Sequence, residues 1–282
     1  MTVLVTWNIQ SCRGTDGRVD PDRIAEVLHE MGPADVICLQ EVARFCPDLD
    51  GAGADQVRLL ADRIAGYEVQ FGAAWSRRAP DEPVRREMGN MILSRLPVIQ
   101  VFAHPLPQPP APGVMHMPRQ ALEVVVEAGG EPLRVITTHL EYHSSHQRHA
   151  QIDRLRALHR EAAADLRQPG RDVEGPYARW PRPDSVVICG DFNILPGSDE
   201  YRQMLAGFDD GTPAFTDAWT IARPGDAHPP TTGVFDRDQW PEGPHCRDYF
   251  FVSEVLSARI AGVTVNTATD ASDHQPLRLD LY

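Results

Sequence analysis

The sequence predicts two packed β-sheets with helices on their outer faces, an α/β class in the wider, α+β sense. Three observations carry this. Apolar runs of strand length recur along the whole chain. Several follow one another with no helix between them, as at 88–94, 98–102, 121–127 and 133–138, which argues against a purely doubly wound parallel sheet. Four segments repeat apolar residues at helical spacing, and they are dispersed among the strands.

The chain opens with a strand, VLVTW (3–7). A helix follows over about 21–31: Asp20 suits the N-cap, Pro21 the first helical position, and Ile24, Val27, Leu28 and Met31 share a face. Gly32-Pro33 ends it, and VICLQE (36–41) is a buried strand closing on a glutamate. A second helix covers about 55–65, with Val57, Leu60, Ala61 and Ile64 on its apolar side. Strands are expected at 67–71 and then over the four runs above. A third helix runs from about 145 to 166, capped by Ser144 or Ser145 and carrying Ile152, Leu155, His159, Ala162 and Leu166 as a stripe. SVVICG (185–190) is a strand and 198–206 a short helix. The last strands are DYFFVS (248–253), RIAGVTV (259–265) and PLRLDLY (276–282). The segments 104–118, 169–184 and 223–247 are rich in Pro or Gly and read as long loops, with the first two expected to wall the rim of a binding site. No linker divides the chain, so residues 1–282 are expected to form one domain.

Composition narrows the function. The chain has 282 residues, 42% hydrophobic and 24% charged, an ordinary globular balance. No apolar run is long enough for a transmembrane helix. The N-terminus MTVLVTWNIQ lacks the basic and apolar regions of a secretory signal. Five scattered cysteines (12, 38, 46, 189 and 246) make no disulfide framework, so a reducing, cytoplasmic setting is expected. The net charge is −13, and all 27 basic residues are arginine. Duplex-DNA binders ordinarily present a basic face, so nucleic acid is a possible but not a favoured partner.

Acidic, amide and imidazole groups recur at strand ends. Asn8 follows the first strand and Glu41 ends the second. His139 ends 133–138, while Asp191 and Asn193 follow SVVICG in GDFN. Asp248 starts a strand, and Asp273 and His274 lie in SDHQP before the last one. Polar groups where buried strands emerge tend to gather at one rim. Four carboxylates in contact would repel by about 4 kcal/mol per adjacent pair at an effective dielectric near 20, a cost that a hard divalent cation relieves. Oxygen-rich donors suit Mg2+ or Mn2+ better than Zn2+.

TWN (6–8), LQE (39–41), GNMILSR (89–95), TTHL (137–140), GDFN (190–193), RDYFFVS (247–253) and SDH (272–274) occur in that order. In this the chain resembles the endonuclease/exonuclease/phosphatase superfamily, the group of DNase I, exonuclease III, neutral sphingomyelinases and inositol-polyphosphate 5-phosphatases. The resemblance implies a DNase I-like, four-layer α/β/β/α sandwich of two mixed sheets flanked by helices. It also implies Mg2+- or Mn2+-dependent hydrolysis of a phosphodiester or phosphomonoester by in-line attack of an activated water. Glu41 resembles the main metal-binding glutamate, with Asp273 a second carboxylate near the metal and Asn8 holding metal or phosphate. Asp191 resembles the group that orients or deprotonates the water, and Asn193 the amide that holds the scissile phosphate. His274 is similar to the histidine that contacts phosphate and assists proton transfer, Asp248 to its carboxylate partner, and His139 to a second phosphate-side histidine. Glu87 is a candidate partner for His139. Asn90 and Arg119 are candidate substrate contacts, Arg119 against the simpler reading of a surface arginine.

Two further clusters stand outside this set. His139, His143, His146 and His149 suggest zinc, but no cysteine or second histidine pair completes a site. Arg77, Arg78, Arg85 and Arg86 form the dense basic cluster of the chain, expected on a loop. A compact substrate or a phospholipid head group is therefore expected. A DNA or RNA nuclease, and a non-catalytic binding protein of the same fold, are the alternatives.

Overall fold

The computed structural model describes residues 1–79 and 83–282. Its strands are β1 (Thr2–Asn8), β2 (Val36–Arg44), β3 (Glu68–Arg78), β4 (Arg85–Ser94), β5 (Val98–Pro105), β6 (Gln120–Ala128), β7 (Glu131–His139), β8 (Val186–Asp191), β9 (Phe215–Asp217), β10 (Asp248–Ser253), β11 (Ile260–Val265) and β12 (Leu277–Leu281). Its helices are α1 (Pro21–Glu30), α2 (Pro47–Asp50), α3 (Gln56–Arg63), α4 (Ser145–Arg167), α5 (Asp199–Leu205) and α6 (Ala218–Ala222). One sheet has the order β11-β12-β1-β2-β4-β3 and the other β5-β6-β7-β8-β10-β9.

Each sheet holds one parallel pair, β1 with β2 and β7 with β8, and the remaining neighbours are antiparallel. Parallel strands need a crossover connection. Helix α1 supplies the first and α4 the second. Both start on the caps their sequences offer: Asp20 Oδ1 accepts from the backbone N–H of Asp22 and Arg23, and Ser144 Oγ from that of Gln147. The parallel pairs end side by side, which brings Asn8, Glu41, His139 and Asp191 to one rim.

Alternation along the strands sorts three cores. Leu4, Val36, Cys38 and Ile92 of one sheet meet Leu122, Val124, Val135, Val187, Cys189 and Phe250 of the other. Val3, Val5, Trp7, Ile37 and Leu39 face outward onto Ile24, Leu28 and Leu60 of α1 and α3. Ile136, Val186, Ile188 and Phe251 face outward onto Ile152, Leu155 and Leu158 of α4. This is the four-layer arrangement expected. Between the sheets, just below the rim, Gln40 donates to the hydroxyls of Thr6 (3.1 Å) and Thr137 (2.7 Å). That bridge fixes β1 and β2 against β7.

Two expectations are corrected, and two short elements are added. The arginine cluster lies on paired strands, not a loop: Arg77 stands opposite Arg86 and Arg78 opposite Arg85. The Ser76 and Glu87 side chains bond across this hairpin at 2.8 Å, and Arg86 reaches Asp48 at 2.9 Å, so polar cross-links extend a pairing that lacks an apolar pattern. Segment 169–184 does not wall the site. It lies beyond α4, where Arg182 is drawn to Glu123 by two bonds of 3.0 and 3.1 Å. The short elements β9 and α6 fall where the sequence shows no strand or helix signal. Asp217 joins them: it ends β9, paired across to Phe251, and caps α6 by accepting the Trp219 N–H. No helix of the described residues is long and apolar enough to cross a membrane.

Candidate active site

Two backbone features aim the site. The β2–β4 register shifts between Leu39 and Val42, and Glu41 sits in that bulge at φ 58. A bulge re-aims a side chain, and here it turns Glu41 to the rim. Asn193 likewise has φ 53. Gly190 of GDFN has φ 131, and a Cβ there would lie 2.0 Å from the Thr138 carbonyl oxygen. Only glycine permits that close approach of β8 to β7 immediately before Asp191.

The side chains then interlock. Asn8 Nδ2 donates to Glu41 Oε1 at 3.0 Å and to Asp191 Oδ2 at 3.1 Å. His274 Nδ1 lies 2.9 Å from Asp248 Oδ2, and its Nε2 lies 3.5 Å from Asp191 Oδ2. The Thr231 hydroxyl donates to the same Asp248 oxygen at 2.6 Å. Trp7 Nε1 holds the His274 carbonyl at 2.9 Å. His139 Nε2 stands 3.3 Å from Asp191 Oδ2 and 3.1 Å from Asn193 Nδ2, and its Nδ1 is 3.6 Å from Glu41. Asn193 N donates to Asp191 Oδ1 at 2.9 Å. These groups open onto a cleft of about 320 Å³ lined also by Met117, Arg119, Tyr142, His143, Gln239, Trp240 and Asp273.

Charge is distributed unevenly. Burial raises the carboxyls of Glu41, Asp191 and Asp273, and neighbouring carboxylates add to it: Asp273 for Glu41, Asp248 for Asp191, Asp191 for Asp273. Burial opposes the charge on His274, but Asp248, Asp191 and Asp273 outweigh it and hold the imidazolium well above its usual range. His139 goes the other way: burial, with Arg119 and His274 nearby, keeps it neutral. The two rings thus take opposite protonation states.

Among the described residues, Asp191, Asp248 and His274 form a group whose ligand atoms lie within 4.8 Å of one another. His274 stands between the two carboxylates, hydrogen-bonded to Asp248 through Nδ1 and in charge contact with Asp191 through Nε2. With the imidazole occupying that group, the hard oxygens of Glu41 and Asp273 are the donors suited to a cation.

The whole chain but its ends, residues 5–274, matches the Endonuclease/Exonuclease/phosphatase family. The chain belongs to this family. Solved structures agree on the fold. An endonuclease/exonuclease/phosphatase from Beutenbergia cavernae DSM 12333 is 24% identical with a TM-score of 0.68, over 99% of this chain and 71% of that one. The mannosyl-6-phosphatase of Bacteroides thetaiotaomicron VPI-5482 is 15% identical with a TM-score of 0.68, over 100% of both chains. The human Nocturnin catalytic domain with bound sulfate anion is 19% identical with a TM-score of 0.61, over 100% of this chain and 94% of that one. No curated protein matches the sequence.

Family members hydrolyse phosphoesters and are generally divalent-metal dependent, and the strand-end residues read from the motifs do converge here. Others stand differently. Glu87 does not reach His139: it pairs with Arg44 at 2.9 Å and with Ser76, because the hairpin twist carries it away from the rim. Asn90 donates to Gln120 O at 2.8 Å, at the floor of a small pocket beside Glu41, Arg119 and His139. Arg119 is not a surface arginine. It is buried at the cleft wall with its Nε 3.5 Å from Glu141. Of the histidine-rich stretch, His143 lines the cleft and His149 bonds Gln203, so the four make no zinc site. Gln239, Trp240 and Tyr142 were missed. They come from irregular segments, and only their packing over the strand ends reveals them.

Proposed function

We propose that this protein is a divalent-metal-dependent phosphoesterase that hydrolyses a compact phosphoester by in-line attack of water. The observation that carries the proposal is that Asp191, His274, Glu41 and Asp273 line one cleft, with Asp248 bonded to His274 and Asn8 to Glu41 and Asp191 behind them. Asp191 is the base: its raised carboxyl accepts a proton from the attacking water more readily than an ordinary aspartate. His274, charged and anchored by Asp248, contacts a phosphate oxygen and returns a proton to the leaving oxygen. The bond from phosphorus to that oxygen breaks as the bond to water's oxygen forms. Asn193 and neutral His139 orient the phosphate with hydrogen bonds that need no added charge. Glu41 and Asp273, with the Asn8 amide, are the residues that would hold Mg2+ or Mn2+, whose charge would stabilise the negative charge on the phosphate.

A cleft of about 320 Å³ lies at the small end of ligand sites, and Met117, Gln239 and Trp240 narrow it. These features support a compact substrate, including a lipid head group, over a duplex, as does the net charge of −13. A sugar phosphate is one such substrate, the class named for the Bacteroides neighbour.

The test is hydrolysis of bis-p-nitrophenyl phosphate and p-nitrophenyl phosphate with Mg2+ or Mn2+. Turnover should vanish with chelator and in Asp191→Asn. A folded, metal-supplied protein that turns over neither these esters nor the substrates compared in the Discussion would favour a binding protein.

A further inference from the structure

Asp273 is gripped by a segment from elsewhere in the chain. Gln239 Nε2 donates to Asp273 Oδ2 at 2.9 Å, and Trp240 Nε1 reaches the same oxygen at 3.3 Å. The other oxygen, Oδ1, lies 3.3 Å from the Ser272 hydroxyl, which donates to the Asn8 carbonyl oxygen at 2.8 Å. Residues 229–247 form no regular element, yet Trp240 is only 2% exposed. Its ring stands edge-on to His274 (6.1 Å between centroids) and Tyr142 (5.8 Å), with the Arg247 guanidinium 4.8 Å from its centre. A buried indole N–H needs an acceptor, and this one finds the carboxylate.

The grip continues to β1. Gln239 Oε1 accepts from Gln10 Nε2 at 3.1 Å, and Gln10 N donates to Asn8 Oδ1 at 3.1 Å. Gln10, Ser11 and Cys12 are three successive non-glycine residues with φ of 45, 53 and 61. Such a conformation is strained for a residue with a Cβ. The turn is held from both sides, by Asn8 and by Gln56 Nε2, which donates to Ser11 O at 2.7 Å. It delivers the Gln10 side chain to Gln239. One chain of hydrogen bonds therefore runs from Asn8 through Gln10 and Gln239 to Asp273.

We propose that Gln239 and Trp240 are positioning residues that hold the Asp273 carboxylate in the orientation needed to bind a divalent cation. The proposal rests on Asp273 being a metal ligand, as in the function proposed above. Two donors on Oδ2, with the Ser272 hydroxyl beside Oδ1, fix the plane of the carboxylate. Removing the outer partners of a ligating group typically weakens metal binding by about 10–100-fold.

The experiment is titration calorimetry with MnCl2 alone on the wild type, Asp273→Ala, Gln239→Ala, Trp240→Phe and the double variants with Asp273→Ala. Gln239→Ala and Trp240→Phe should each raise the Mn2+ Kd by about tenfold or more. In the Asp273→Ala background neither should add a further loss, because the group they act through is gone. Their turnover deficit should shrink as Mn2+ rises, which a general loss of structure would not do. Metal-free melts check folding. Should Trp240→Phe fold poorly, Gln239→Ala alone decides. Weaker binding in Asp273→Ala with unchanged binding in Gln239→Ala overturns the positioning role and leaves the function standing. An equal added loss in the Asp273→Ala background also overturns it. Unchanged Mn2+ affinity in Asp273→Ala overturns the ligand assignment itself.

Discussion

His274 Nδ1 lies 2.9 Å from Asp248 Oδ2, although the ring precedes β12 in one sheet and the carboxylate starts β10 in the other. The pair joins the two sheets at the rim. Among the described residues the second oxygen of Asp248 has no hydrogen-bond partner, while Oδ2 takes both His274 and Thr231, so the carboxylate is committed to the ring on one side.

His274→Ala should lower kcat by about 10²–10⁴-fold, the range of a lost acid–base group. Asp248→Asn should come close to it by releasing the ring. Steady-state rates with circular dichroism as the folding control decide this. Near-wild-type kcat in His274→Ala would remove the histidine from the chemistry.

Divalent ions should stabilise the protein. Burial raises the pKa of Glu41 and of Asp273, and Asp273 raises that of Glu41 further, so their negative charges are costly side by side without a cation. A cation that binds only the folded chain stabilises it by about 2.7 kcal/mol at 100 times its Kd. Thermal melts with millimolar Mg2+ or Mn2+ should therefore shift upward, and Glu41→Ala should abolish most of the shift. Identical melts with chelator and with metal would speak against any such site.

Stability should also depend on pH away from the site. His159 of α4 is buried against Phe215, with Nε2 2.9 Å from the Pro213 carbonyl oxygen. Burial pulls its pKa down to about 4, against about 6.5 unfolded. The unfolded chain thus binds the proton first, and stability falls as pH drops from about 6.5 to 4. The loss amounts to about 3 kcal/mol. In urea titrations, His159→Gln should lack this component, so the gap between it and the wild type narrows on acidification. A constant gap from pH 7.5 to 4 would refute it.

Gly190→Ala should destabilise by about 2 kcal/mol or more. The new Cβ meets the Thr138 carbonyl oxygen at 2.0 Å, at a φ of 131 that L residues rarely adopt. Chemical denaturation gives the free energy. Asp191 moves with the distorted β7–β8 contact, so turnover should fall as well.

A compact phosphoester should be cleaved better than duplex DNA. The arginine hairpin lies on β3 and β4, where Arg86 is paired with Asp48 and Arg85 is bonded to Ser76. Arg77 and Arg78 stay exposed, a patch too small to follow a row of phosphates. The comparison is kcat/KM for sugar phosphates, inositol phosphates, phosphodiester lipids, oligonucleotides and plasmid DNA in one buffer. Plasmid as the best substrate, with binding that falls steeply as salt rises, would make the protein a nuclease.

Periodicity and caps were enough to place α1 and α4, because Asp20-Pro21 and Ser144 signal a helix start within a few residues of chain. Those two helices in turn account for the parallel pairs β1–β2 and β7–β8. Local sequence likewise places Asn8, His139 and Asp191 at strand ends, whereas Glu41 lies inside β2 at a bulge and Asp273 in the loop before β12, and the tertiary structure brings those two to one cleft. Tertiary structure alone decided the rest. Glu87 is turned to Arg44, Arg119 is buried on Glu141, and Trp240 and Gln239 close on Asp273. Each depends on a contact between residues more than 20 positions apart in the chain, in irregular or twisted segments with no period to betray which way a side chain points. Sequence determined which chemical groups stand at the rim. Packing decided which partners they meet there, because a side chain's direction in a bulge, a hairpin end or a long loop is set by what lies across from it in space.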